Sequence, residues 1–238
     1  MIQGMGAALA GLRAYINNTR TTANNLANIG TEGFKASRTL QSPLPGGLGV
    51  ATTGTQTLQG QGSIAFTGNP FDLAIGGEGF FRVTTPSGAA AYTRAGSFHV
   101  DNQGRLADPA GNRLTPDITI PGGASNVAVG QDGAVTAMVN GTRQTIGQVE
   151  LVKFMNPSGL QQGGANLYFE TPASGQPVTG APGTDGLGAL YPASLELSNV
   201  DIAAQMVSLI ENRHAISAQV KTIQTADEML GAIMDIKA

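Results

Sequence analysis

The chain has 238 residues, a formal charge of −3 and a pI near 5.3, which leaves no basic footprint for nucleic acid or anionic lipid. Charged residues make up 12% of it, against roughly a quarter in ordinary globular chains, while glycine reaches 34 residues, so small polar side chains must cover most of the surface. Such a surface suits a polymer subunit or a Gly-rich secreted β protein, and the absence of cysteine excludes disulfides, thiolate metal sites and a cysteine nucleophile.

The N-terminus, MIQGMGAALAGLRAY, has neither the basic nor the long apolar stretch of a cleaved secretory signal, so export, if any, is expected to proceed without one. No segment approaches the ~20 apolar residues of a membrane helix, so the chain is not expected to insert in a membrane. Met5, Leu9, Leu12, Ile16, Thr19, Ala23 and Leu26 alternate in steps of four and three, the spacing of a helix that packs on another helix. Asn17, Asn18, Thr19, Thr21, Thr22, Asn24 and Asn25 are weak helix formers, so this helix is expected to need a partner to stay ordered. Residues 1–30 are thus assigned to a terminal helix.

Asn28, Gly30 and Gly33 then provide a turn, after which Phe34 anchors an extended segment. Lys35 and Arg38 either meet acidic or carbonyl groups on a neighbouring copy or stay solvated at the start of an intramolecular hairpin. Residues 31–69 read as an extended connector.

From 70 to 171 the period changes to two, with Phe71, Leu73 and Ile75, then Phe80 to Val83, and later Val135, Ala137 and Val139. Asp101 to Gly104, Asp132-Gly133 and Asn140-Gly141 punctuate these runs as hairpin turns, which predicts an antiparallel β domain. Residues 172–197, rich in Pro and Gly, are expected to return the chain along a surface.

A second seam runs through Ile202, Met206, Leu209, Arg213, Ile216, Val220, Ile223, Asp227, Leu230 and Met234, again in alternating steps of four and three. Ser198 or Asn199 is the expected N-cap, with Asp201 in the first turn, and residues 198–238 form the second terminal helix. Arg213 and Asp227 face other charges in a larger bundle if the seam holds, or solvent if it drifts. The fold class is therefore α+β: paired, coiled-coil-like N- and C-terminal helices with an antiparallel all-β middle domain.

Catalytic and cofactor chemistry has little to stand on. His99 and His214 lack ligand partners at metal spacing, no G-x-S-x-G elbow or phosphate loop appears, and Asp72 and Glu78 lie on a Gly-rich hairpin with no cleft implied. No metal, no cofactor and no enzymatic activity are expected.

The stretches NNLANIGTEGFK, GNPFDLAIGGEGFFRV, YTRAGSFHVDNQGRL and LELSNVDIAAQMVSLIENRHAISAQVKTIQTADEML resemble, in order, the bacterial flagellar rod and hook family. The resemblance spans nearly the whole chain. It implies a homo-oligomeric subunit of the periplasm-spanning rod of the flagellar basal body, exported by the flagellar type III apparatus without a cleaved signal. It also implies a helical tube that transmits torque, with other rod and hook subunits and the surrounding basal-body ring proteins as partners. The self-assembly helices would then be carried by Met5, Leu9, Leu12, Ile16, Leu26 and by the second seam from Ile202 to Leu230.

GQVELVKFMNPSGLQ and NLYFETPASG are similar to the distal-rod members, whereas the short piece from Leu40 to Gly62 is similar to the proximal-rod members. His214-Ala215-Ile216 stands where the family often shows Arg-Ala-Tyr. A proximal-rod or hook-like subunit, and a secreted glycan-binding β module, are the alternatives.

Overall fold

In the computed structural model the chain is described over residues 2–235, with side chains over 4–232; Met234, the last expected seam position, lies outside the latter range. The described residues fall into two units, one made of the terminal helices with residues 36–58, the other of residues 30–35 and 59–199. All strand pairings among them are antiparallel. The expected α+β class is found.

The first unit contains α1 (Ile2–Ala27), a hairpin of β1 (Ser37–Pro43) and β2 (Val50–Thr57), and α2 (Ile202–Asp235). Part of the expected extended connector is therefore a hairpin on α1. The weak helix formers explain the packing: Thr21 Oγ1 lies 2.9 Å from Thr39 Oγ1 and Asn17 donates to Thr52 Oγ1. Thr19, Thr21 and Thr22 also donate to the carbonyls of Tyr15, Asn17 and Asn18 one turn back, which satisfies their hydroxyls inside the helix. Asp201, not Ser198 or Asn199, caps α2, because its Oδ1 accepts from Ala203 N at 2.9 Å and Ala204 N at 3.2 Å.

The second unit is built on β3 (Ile64–Phe66), β4 (Leu73–Gly76), β5 (Phe80–Thr84), β6 (Ala90–Thr93) and further short strands. Side chains of β5 alternate between two clusters: Phe81 and Val83 pack with Leu73, Ile75 and Leu114, while Phe80 meets Phe154 and Tyr168 edge to face on the other side. Asn140 and Gly141 take φ of 51° and 78°, the backbone a two-residue hairpin needs, and join strands 134–139 and 142–148 as expected. At Asp101 the carboxylate accepts from Gln103 N and Arg105 N, and the Arg105 backbone bond holds its pKa below the ordinary value; its oxygens close a turn.

The segment expected to run along a surface is partly structural. Residues 178–180 pair with 151–153, residues 189–192 pair with β4, and Leu187 and Leu190 are buried in the larger cluster. Residues 194–196 pair with β3, so the two connectors meet each other. Three or four aligned residues can pair at a free strand edge, because strand formation depends more on context than on intrinsic propensity.

Candidate assembly surface

Helices α1 and α2 run antiparallel and pair through amides. Asn25 Nδ2 donates to Gln205 Oε1 at 3.1 Å, and seven residues away on each helix Asn18 Nδ2 donates to Asn212 Oδ1 at 2.9 Å. A further seven residues on, Gly11 leaves room for Gln219, whose amide nitrogen lies 3.1 Å from where a Cβ would stand. Asn25 also exchanges two hydrogen bonds with the backbone of Ser37, at 2.8 and 2.9 Å, fixing the start of β1 to the end of α1.

This seam lies one residue from the expected one over half its length. On α2, Leu209, Ile216, Ile223 and Leu230 are half-buried as the spacing predicts, but Gln205, Asn212, Gln219 and Ala226 complete the inner stripe in place of Met206, Arg213, Val220 and Asp227, which are exposed. Arg213 and Asp227 thus reach solvent, as a drifting seam allows. On α1, Ala8 and Ala14 are buried, Met5, Leu12 and Leu26 are half-buried, and Leu9 and Ile16 are exposed at 43% and 39%. The polar heptad won because its amides find partners in each other, whereas apolar periodicity was the only signal counted. A seven-residue repeat of Gly, Gly, Asn, Asn at 4, 11, 18 and 25 was the legible clue.

The apolar side chains displaced from the pairing form a stripe on the outside. Met206, Val207 and Ile210 are 53%, 54% and 54% exposed, and Ile202 and Met229 are about as open.

The turn residues separate in role. Gly33 is buried at φ 64°, and a Cβ there would strike the backbone nitrogen of Ala95; Gly30 is exposed, with open space where its Cβ would stand. Gly33→Ala is therefore expected to cost roughly 1–3 kcal/mol in urea unfolding while Gly30→Ala stays within about 0.5 kcal/mol. Asn28 closes the last turn of α1, its Nδ2 donating to Asn24 O at 2.9 Å, and Phe34 is half-buried with its carbonyl accepting from Asn199 N. Arg38 is exposed and reaches across the hairpin to Gln56, 3.0 Å away.

Lys35 corrects the sequence expectation of a neighbour or solvent contact. It is 1% exposed, and its Nζ donates to Glu196 Oε1 at 2.6 Å and to the Gly60 carbonyl at 2.9 Å. Glu196 is equally buried and also accepts from Arg94 at 3.3 Å and Gly62 N at 2.9 Å, while its carbonyl accepts from Gly33 N. Burial pushes the Lys35 ammonium below its ordinary pKa against the pull of Glu196, and burial does the same to Arg94. One carboxylate thus ties together the segment leaving α1, the segment leading to α2 and the residue that follows β6. Glu196 was missed because a single Glu in a strand carries no spacing signal.

Among the described residues no group of three His, Cys, Asp or Glu is placed to hold a metal ion, and no helix is long and apolar enough to cross a membrane. A groove of the second unit, about 700 Å³, is lined by Arg82, Tyr92, Glu170 and Thr171 among others. Burial raises the pKa of Tyr92 there above its ordinary value.

Residues 74–137 match the family model for the flagellar hook protein FlgE/F/G D1 domain, and residues 192–236 match that for the flagellar basal body rod FlgEFG protein C-terminal region. Both describe proteins of the flagellar axis. The flagellar basal-body rod protein FlgG of Buchnera aphidicola is 38% identical over 97% of this chain and 98% of its own length, and that of Borreliella burgdorferi is 35% identical over 100% and 99%. The flagellar hook protein FlgE of Caulobacter vibrioides, by contrast, is 39% identical over 49% of this chain and 20% of its own length. The chain belongs to the flagellar basal-body rod protein family.

Proposed function

We propose that the chain is a non-enzymatic structural subunit of the distal flagellar rod, polymerising with copies of itself into a helical tube that transmits torque across the periplasm. The observation that carries the reading is the outward apolar stripe of α1 and α2: the helices satisfy each other with amides and leave Leu9, Ile16, Met206, Val207 and Ile210 for neighbours. In the tube these stripes pack in coiled-coil fashion, burying ~1.5–3 kcal/mol per aliphatic side chain. Other rod and hook subunits contact it at its ends, and basal-body rings surround it. Full-length similarity to rod proteins, against half-length similarity to a hook protein, favours rod over hook.

Imaging of purified basal bodies at side-chain detail tests this. The expected result is this subunit in the distal rod with both helices in the innermost layer. Its density in the hook, or a rod complete without it, would overturn the reading.

A further inference from the structure

We infer that Asn18, Asn25, Gln205 and Asn212, with the Gly11 and Gln219 match, are specificity-determining residues that select one register of the α1–α2 pair. The inference concerns the pairing within one chain and stands whether or not the assembly reading holds.

Each layer is different. Asn25 meets Gln205, Asn18 meets Asn212, and Gln219 lies over a glycine, with successive layers seven residues apart on both helices. A slide of one heptad, roughly 10 Å along the axis, changes every match. In one direction Gln205 passes the end of α1 at Ala27, Asn212 moves to Asn25, and the longer Gln219 is driven against Asn18 in the place of Asn212. In the other, Asn212 faces Gly11 and Asn25 passes the start of α2 at Ile202. A slide of three or four residues sets the amides against Leu209, Ile216 and Ile223. Every slip therefore parts at least one amide from its present partner, Gln205 in the first direction and Asn25 in the second, and the shorter slides set amides against hydrocarbon.

Stability is not what these residues supply. Asn212 is 3% exposed, yet its Nδ2 has no hydrogen-bond partner, so the layer carries the cost of an unmet donor that a leucine would avoid. Polar residues held in a helical seam at such a cost are the known means of fixing register. Here they also leave the outer stripe unable to replace the inner one, since exchanging the two would put Met206 opposite Asn25, burying that amide against hydrocarbon, and would bring Arg213 opposite Asn18.

The chain has no cysteine, so register can be read by disulfide formation under oxidised glutathione. Gly11→Cys with Gln219→Cys reports the register described; Gly11→Cys with Ala226→Cys reports a one-heptad slip. In the otherwise native full-length chain the first pair is expected to close at least about tenfold faster than the second, the decade that one unmatched buried amide is worth. With Asn18, Asn25, Gln205 and Asn212 all replaced by Leu, the ratio is expected to fall to about threefold or less, helicity being retained. Equal closure of both pairs in the native chain would overturn the inference, as would undiminished selectivity in a folded Leu variant. Should that variant fail to fold, Asn18→Leu with Asn212→Leu takes its place, and a ratio as high as that of the native chain would overturn the inference.

Discussion

Rods are expected to be absent from cells in which Met206→Asp and Ile210→Asp are combined, while the purified subunit unfolds in urea within about 0.5 kcal/mol of the unsubstituted chain, as exposed positions do. Both side chains are more than half exposed on the outer side of α2, and neither touches the amide pairing, so the isolated fold does not depend on them. On assembly each would exchange ~1.5–3 kcal/mol of apolar burial for the larger cost of placing a carboxylate in a helical interface. That cost recurs at every subunit. Electron microscopy of basal bodies and the unfolding curve check the two halves separately, and normal rods would refute the role of this face. Substituting Leu209 and Ile216 instead would not separate the two, because both are half-buried on the inner stripe and their loss would loosen the monomer itself.

Glu196→Ala is expected to destabilise the second unit by about 3–5 kcal/mol, the cost of removing one partner from a buried ionic cluster. Lys35 and Arg94 would be left as two buried cations without a counter-charge, and Gly62 N would lose its acceptor. Urea unfolding measures the loss. Adding Lys35→Met to Glu196→Gln should recover part of it, since one stranded ammonium is removed together with its desolvation, already visible in the lowered Lys35 pKa. A Glu196→Ala protein as stable as the unsubstituted chain would show that the cluster is incidental. Because Glu196 binds Gly33 through its backbone and Lys35 through its side chain, the same substitution should also loosen the segment that follows α1, read as faster amide exchange at Gly33.

The two helices, the antiparallel middle and its hairpin turns were legible because period and turn chemistry are local: Asn140-Gly141 demands its turn whatever surrounds it. The partners of those elements were less so. Thr39, Thr52 and Ser37 pair with α1 through contacts that no periodicity announces, and the strand at 194–196 is too short to signal itself. The helix seam was half visible. Leu209, Ile216 and Ile223 face inward as their spacing predicts, but Asn18, Asn25 and Asn212 look like helix weakeners until a partner amide stands opposite.

By itself, then, the amino-acid order determined where helices and strands form and that the ends carry apolar stripes, since both follow from spacing along one chain. Only the tertiary structure decided which stripe is spent within the subunit and which is left exposed, and that Lys35 is an interior group. Those outcomes depend on hydrogen-bond partners up to 194 residues apart, and a buried amide or ammonium is affordable only where such a partner is brought to it.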